Sequence, residues 1–126
     1  MLKGFTTLMV YVRDMDRAVA FYRDTLGMPL QTQSPGWSQF TLADGAILGL
    51  HVAREDAKPQ PGFVPGFAVD DVRQAKERLA SGGAAISGDF HDVPGGVVLE
   101  FTDPDGNALN VSQMGTSCAE LGVASH

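Results

Sequence analysis

The sequence contains little of what several common classes of protein depend on. It has a single cysteine and a single tryptophan, and its nine lysines and arginines are scattered among fifteen acidic residues, for a net charge of −6. One cysteine, Cys118, excludes an intrachain disulfide framework. A chain without concentrated positive charge is a poor partner for nucleic acid, whose phosphates require such a surface. We therefore expect no nucleic-acid partner.

Long hydrophobic runs are also missing. No apolar run approaches the roughly 18 residues of a membrane span, and the first residues, 1–4, lack the apolar segment of a signal peptide. We therefore expect no membrane association and a cytoplasmic location. The chain has 126 residues, of which 44% are hydrophobic. This length and composition suit one compact globular domain.

What the sequence does contain is a repeated pattern. Residues 40–48 (FTLADGAIL) and residues 101–109 (FTDPDGNAL) are 61 positions apart, and each places Asp-Gly between two apolar stretches. Asp-Gly between strand patterns is among the strongest local indications of a β-hairpin, because glycine accepts the positive φ that such turns require. Two matching hairpins suggest an internal duplication.

A second pair of segments supports the duplication. Residues 12–18 (VRDMDRA) and 69–75 (VDDVRQA) are 57 positions apart, and each joins the end of an apolar stretch to a helical pattern. A loop can absorb the difference of four residues between the two offsets. Half-chains of about 55 residues bury too little surface to be stable alone. We interpret them as two modules of one domain.

The predicted modules have the same order of elements: strand, helix, then strands that close on the Asp-Gly hairpin. Asp14 is a suitable N-cap for the first helix, and Gly27 and Pro29 are suitable residues to end it. We expect the tail to be loose or to form a short frayed helix. The apolar stripes are Met15, Ala18, Val19, Tyr22 and Leu26 in the first helix and Val72, Ala75, Leu79 and Ala80 in the second. The predicted boundaries are about 5–53 for module one, 54–62 for the linker, 63–113 for module two and 114–126 for the tail.

Strand alternation separates the side chains of the predicted strands into two faces. One face is uniformly apolar and should pack against the helices. The other face mixes aromatic, small and hydrogen-bonding side chains, which suits a ligand cleft. The alternative is an antiparallel sheet with one solvated face. The mixed face consists of Thr7, Met9, Tyr11, Trp37, Gln39, Thr41, Gly49, His51, Val64, Gly66, Glu100, Thr102, Asn110 and Ser112.

Two motifs carry a resemblance to a known family. The segment 12–22 (VRDMDRAVAFY), followed by Leu26-Gly27, and the segment 103–107 (DPDGN) before the last strand resemble the vicinal oxygen chelate superfamily. This superfamily includes glyoxalase I, bleomycin-resistance proteins, extradiol dioxygenases and fosfomycin-resistance enzymes. The resemblance implies an α+β fold of two tandem βαβββ modules, with a curved mixed sheet around a cleft and helices on the outer face. It also implies a homodimer.

The sequence departs from the resemblance at the metal ligands. Metal-dependent relatives carry His, Gln or Glu in the first and last strands of each module, and the matching positions here are Thr7, Gly49, Val64 and Asn110. Divalent transition metals require imidazole, thiolate or carboxylate ligands, which this set does not supply. We therefore expect no bound metal and no other cofactor.

Eight residues are the candidate ligand-binding residues. His51 is expected to be a hydrogen-bonding residue of the cleft; the alternatives are a substitute metal ligand or an acid/base, paired with Glu100 if the two meet. Trp37 either stacks on a planar ligand or fills a dimer seam. His91, in a predicted Pro/Gly loop, is expected to be solvated and is not a candidate. The candidates are Thr7, Met9, Trp37, Gln39, Gly49, His51, Glu100 and Asn110.

The sequence thus supports two functional hypotheses. The first is a metal-free protein of the bleomycin-resistance type, active in antibiotic resistance, that binds a small, partly aromatic molecule in a dimeric cleft. The second is a divalent-metal-dependent lyase or dioxygenase of the glyoxalase type. The fold hosts many chemistries, and the sequence leaves open whether the protein catalyses a reaction.

Overall fold

The computed structural model describes residues 7–53 and 64–125. The chain divides into two compact units, Met1–Gln60 and Pro61–His126, which we call unit 1 and unit 2. The predicted linker, 54–62, lies outside the described residues. Within the described ranges, no helix is both long enough and apolar enough to cross a membrane.

The described part of unit 1 contains one helix and a four-stranded sheet. The elements are β1 (Thr7–Val12), α1 (Met15–Ala20), a π-helical continuation of α1 (Phe21–Thr25), β2 (Leu30–Gln33), β3 (Trp37–Thr41) and β4 (Ile47–Val52). The strand order is β1-β4-β3-β2, with β1 and β4 parallel and the other neighbours antiparallel. The helix begins at its N-cap, Asp14, whose carboxylate accepts a hydrogen bond from the backbone N–H of Arg17.

The π-helical turn changes which side chains of the helix are buried. The backbone N–H of Leu26 donates to the carbonyl of Phe21 at 3.0 Å, a bond that spans five residues instead of four. The wider turn places two consecutive aromatic residues, Phe21 and Tyr22, in the core, while Leu26 is partly exposed. The predicted apolar stripe is buried up to Tyr22 and partly buried at Leu26, and it omitted Phe21 because it assumed a regular α-helix throughout.

The described part of unit 2 has two helices and a five-stranded sheet. The elements are β5 (Gly66–Ala68), α2 (Val72–Ser81), β6 (Ala85–Ile86), β7 (His91–Val93), β8 (Gly96–Thr102), β9 (Ala108–Met114) and α3 (Cys118–Leu121). The strand order is β5-β9-β8-β6, with β7 also paired to β8, and β5 lies parallel to β9. Asp71 caps α2, and hydrogen bonds from the backbone N–H groups of Gln74 and Arg73 hold the pKa of its carboxyl below the usual value.

Three predictions for unit 2 need correction. His91 lies in strand β7, paired with Val98, not in a loop. Ala80 is exposed on α2. The tail forms the short helix α3, in agreement with one of the two predicted alternatives, but it is packed against the rest of unit 2 and not frayed: the buried Cys118 donates its backbone N–H to Asp92 at 2.8 Å, and Arg73 donates to the carbonyl of Leu121 at 3.0 Å. Burial and the Asp92 carboxylate raise the pKa of the Cys118 thiol, so it is a poor nucleophile.

The two Asp-Gly hairpins have the same backbone hydrogen bonds. In the first, Leu42 N–H donates to Ala46 and Gly45 N–H donates to Leu42; in the second, Asp103 N–H donates to Asn107 and Gly106 N–H donates to Asp103. Gly45 and Gly106 have positive φ, whereas the aspartates before them do not. Each hairpin therefore closes through a turn with glycine in the left-handed position, as an internal duplication predicts.

Candidate functional site

The open face of the unit 1 sheet lies opposite α1. Its side chains share one face because they are paired in register: β1 and β3 each place alternate residues beside those of β4. Met9 and Tyr11 are exposed, at 43% and 40% of their surface, while Trp37 is half-buried. Six of the candidate residues lie here, together with Tyr11, Thr41 and Ile47; the six are Thr7, Met9, Trp37, Gln39, Gly49 and His51.

The indole of Trp37 lies over Gly49. A Cβ atom at position 49 would overlap the six-membered ring of the indole, so only glycine leaves room for the ring in this position. In the sheet, Trp37 pairs with His51, and Gly49 is two residues before His51 on the same face. Gly49, which the resemblance matched to a metal-ligand position, therefore makes room for an aromatic ring.

A chain of hydrogen bonds holds the nitrogen edge of the indole. Trp37 Nε1 donates to Gln39 Oε1 at 3.3 Å, and Gln39 Nε2 donates to Gln31 Oε1 at 2.9 Å. The hydroxyl of Thr41 donates to the same Gln31 oxygen at 2.7 Å. Gln31 was not among the predicted residues. The pairing of β2 with β3 shifts between Leu30 and Thr32, and this irregularity removes the simple alternation that would have placed Gln31 on the open face.

His51 completes the aromatic part of the open face. Its ring makes edge contacts with Tyr11, at 5.7 Å between centroids, and with Trp37, at 6.3 Å. Its Nδ1 lies 2.7 Å from the carbonyl oxygen of Val52. The imidazole is thus held beside the indole, with exposed ring surface available to a ligand.

The other two candidate residues lie in unit 2. Glu100 on β8 and Asn110 on β9 are directly opposite each other in the antiparallel pair. The side-chain oxygen of Asn110 lies over Gly66, where a Cβ atom would approach it to 2.6 Å. His51 and Glu100 belong to different units, and their role as an acid/base pair stays a prediction.

The donor set does not fit a divalent metal. No group of three or more His, Cys, Asp or Glu side chains is arranged to hold a metal ion among residues 7–53 and 64–125. Of the positions that match the family's ligands, Gly49 and Val64 have no donor atom in their side chains, and the Trp37 ring covers Gly49. Zinc and similar ions need three or four nitrogen, sulfur or carboxylate ligands. The matching positions do not supply such a set of ligands.

A shallow depression of about 610 Å³ lies elsewhere in unit 1, near the start of α1 and the β2–β3 turn. Its lining includes Arg13, Asp16, Gln33 and Ser34, and the side chain of Gln33 donates to Asp16 at 3.2 Å. None of the candidate residues lines it. None of the described residues that line it is aromatic, so the open face around Trp37 is the better candidate for an aromatic ligand.

Solved structures of the same fold cover most of the chain. TnmS3, an antibiotic binding protein from Streptomyces sp. CB03234, is 28% identical, with a TM-score of 0.75 over 90% of this chain and 97% of that one. Lactoylglutathione lyase from Agrobacterium tumefaciens is 23% identical, with a TM-score of 0.69 over 90% of this chain and 95% of the lyase. The second likeness is one of fold alone.

Sequence comparison agrees with this result. The protein YraH of Bacillus subtilis (strain 168) is 26% identical over 85% of this chain and 95% of its own length. The sequence profile of the Glyoxalase/Bleomycin resistance protein/Dioxygenase superfamily matches residues 4–111. Together with the two βαβββ-type units and their matching hairpins, this match leads to one conclusion: the chain belongs to the Glyoxalase/Bleomycin resistance protein/Dioxygenase superfamily, the vicinal oxygen chelate group.

Proposed function

We propose that this protein binds a small, planar, partly aromatic molecule on the open face of unit 1, without a divalent metal. The observation that carries the proposal is the position of Trp37, held over Gly49, hydrogen-bonded to Gln39 and edged by His51. A half-buried indole fixed on several sides is a preorganised stacking surface, and preorganisation lowers the entropic cost of binding.

The similarity to TnmS3 supports the same proposal, since that protein is an antibiotic binding protein and shares 28% of its residues with this chain. We propose sequestration of a toxic aromatic compound, and hence antibiotic resistance, as the physiological role. The single cysteine is a buried free thiol, which suits a reducing compartment, so we propose a cytoplasmic location. The metal-dependent lyase or dioxygenase is the weaker candidate because its ligand set is missing.

Titration with aromatic antibiotics or polycyclic probes tests this proposal. Trp37 is the one tryptophan in the chain, so its fluorescence should change as a ligand stacks on it. We expect Trp37→Ala to weaken binding, measured by calorimetry, by roughly tenfold or more, since buried aromatic residues dominate many binding sites. Trp37→Phe is the matched control and should retain most of the affinity. A ligand that binds without any change in Trp37 emission would contradict the proposal.

The metal-free part of the proposal has its own test. We expect the purified protein to lack stoichiometric metal, and its melting temperature to stay nearly constant when Ni²⁺, Zn²⁺, Fe²⁺ or Mn²⁺ is added. A metal that bound only the folded protein at a hundred times its Kd would stabilise it by about 2.7 kcal/mol. A rise of several degrees in the melting temperature that His51→Ala abolishes would show instead that His51 is a metal ligand.

We further propose that the protein is a homodimer in solution. Two features support this: β1 and β5 are edge strands of their own sheets, and several large apolar side chains are exposed, including Met9, Val64 and Met114 at 43%, 51% and 58%. Exposed strand edges and apolar patches favour association. Sedimentation equilibrium at micromolar concentration should give twice the mass of the 13.3 kDa chain. A single species with the mass of one chain would rule the dimer out.

A further inference from the structure

We propose that Gln31 determines which planar molecules bind to the open face. The favoured ligand carries a hydrogen-bond acceptor, such as a carbonyl, at the end beside Gln31 and a hydrogen-bond donor, such as a phenolic hydroxyl, at the end beside His51. This inference rests on the proposed function, because it assumes that the plane of the ligand lies on Trp37.

The indole sets the direction of the whole hydrogen-bond chain. An indole N–H can only donate, so Gln39 must accept with Oε1, at 3.3 Å. The Gln39 amide nitrogen then faces Gln31, which must also accept with its oxygen, at 2.9 Å. The oxygen and nitrogen atoms of a glutamine amide are otherwise difficult to tell apart. Here the indole N–H, which can only donate, determines the orientation of both amides.

Gln31, at the end of this chain, therefore offers a ligand only hydrogen-bond donors. The oxygen of Gln31 accepts from Gln39 and also from the hydroxyl of Thr41, at 2.7 Å. These two bonds use both lone pairs of the amide oxygen. Within the described part of the chain, the Nε2 group of Gln31 donates to no protein atom, and its residue is exposed. Gln31 thus offers up to two N–H donors to a ligand and no acceptor.

His51, in contrast to Gln31, offers a ligand a hydrogen-bond acceptor. Its Nδ1 lies 2.7 Å from the carbonyl of Val52, and a carbonyl oxygen can only accept, so Nδ1 carries the hydrogen. In the neutral imidazole the other nitrogen, Nε2, is then an acceptor. Gln31 and His51 lie on β2 and β4, the two neighbours of β3. Two inter-strand spacings separate them across the sheet, and the register also offsets them by two to three residues along the strands, because Gln31 lies opposite residues 39–40 and His51 lies opposite Trp37. The resulting separation is about 12 Å, so a ligand that reaches both needs two or three fused rings.

Three naphthalene probes separate the contributions of the two ends. One probe, 6-acetyl-2-naphthol, carries the carbonyl and the hydroxyl at opposite ends; 2-naphthol lacks the carbonyl and 2-acetylnaphthalene lacks the hydroxyl. Calorimetry and Trp37 fluorescence at neutral pH, with the full chain, should show that the first binds about three- to tenfold tighter than either of the others, since one hydrogen bond contributes that much.

Gln31→Glu is the decisive variant. It keeps the oxygen that accepts from Gln39 and Thr41 but replaces the amide donor with a second carboxylate oxygen. The acetyl group should then bring no gain, so that 6-acetyl-2-naphthol binds no better than 2-naphthol, while 2-naphthol itself stays within about twofold of its original affinity. Gln74→Glu, on the exposed surface of α2 in unit 2, adds the same charge and should leave all three affinities unchanged.

The possible outcomes distinguish this inference from the function on which it rests. If all three probes bind equally and change Trp37 emission, Gln31 selects nothing and the inference is wrong, while the proposed function stands. If Gln31→Glu weakens all three probes alike, Gln31 only supports Trp37 and the inference is again wrong. If no probe binds or changes Trp37 emission, both proposals are overturned. Loss of the acetyl gain in Gln31→Glu alone supports the inference.

Discussion

Replacement of Gly49 by alanine should displace the Trp37 indole and weaken binding of a planar ligand by more than about tenfold. The added methyl group would occupy the space of the six-membered ring, and overpacking of this kind costs about 1–3 kcal/mol in stability. The measurements are the emission maximum of Trp37, which should shift as the ring moves into water, the affinity for an aromatic probe and the free energy of unfolding.

Gly36, in the turn between β2 and β3, is the matched control for this prediction. A Cβ atom at Gly36 would meet nothing within 4 Å, so Gly36→Ala should leave emission and affinity unchanged. A double-mutant cycle gives a second check, because Gly49→Ala should cost less stability in a Trp37→Ala background, where no indole remains to be displaced. If Gly49→Ala keeps the parent emission and affinity, the indole does not depend on Gly49, and the preorganised surface that we propose is wrong.

Asp103→Ala should cost about 1–3 kcal/mol of unfolding free energy, because a buried polar group left without its partner costs about that much. Asp103 is 4% exposed. Its carboxylate accepts hydrogen bonds from the backbone N–H groups of Asp105 and Asn107 and from the Asn107 side chain, each at 2.9 Å. Chemical denaturation of the parent and the variant measures the difference.

The first hairpin provides the control. There Leu42 stands at the position of Asp103, and the exposed Asp44 accepts from the backbone N–H of Ala46 instead, at 2.9 Å. Since water can replace this single exposed bond, Asp44→Ala should cost only about 0.5–1 kcal/mol. Equal costs for Asp103→Ala and Asp44→Ala would mean that the buried carboxylate of the second hairpin is no more important than its exposed counterpart.

Local patterns in the sequence predicted much of the architecture. The two hairpins depend on glycines whose backbone conformation is a property of a few neighbouring residues, and the predicted N-cap, Asp14, depends on the helix that directly follows it. Strand alternation also placed Trp37 and His51 on one face, and the register confirms this. Each of these predictions needed only a short stretch of chain.

The errors occurred where the chain departs from a regular period. The π-helical turn buried Phe21 against the α-helical pattern. The segment of unit 2 that corresponds to β2 is divided into β6 and β7, so the pairing of His91 was missed. The tail was predicted to be loose or frayed because its docking depends on Asp92 and Arg73, which are distant in sequence.

By itself, the sequence determined the family, the duplication and the face on which the candidate residues of unit 1 lie, because all three follow from local spacing and alternation. Only the tertiary structure decided that the Trp37 ring covers Gly49 and that the indole N–H orients the amides of Gln39 and Gln31. These contacts join side chains from β2, β3 and β4, and they depend on strand register and on one bulge. Neither the register nor the bulge is encoded in the spacing of any single strand, so the stacking surface and its hydrogen-bonding polarity emerge only when the strands are paired.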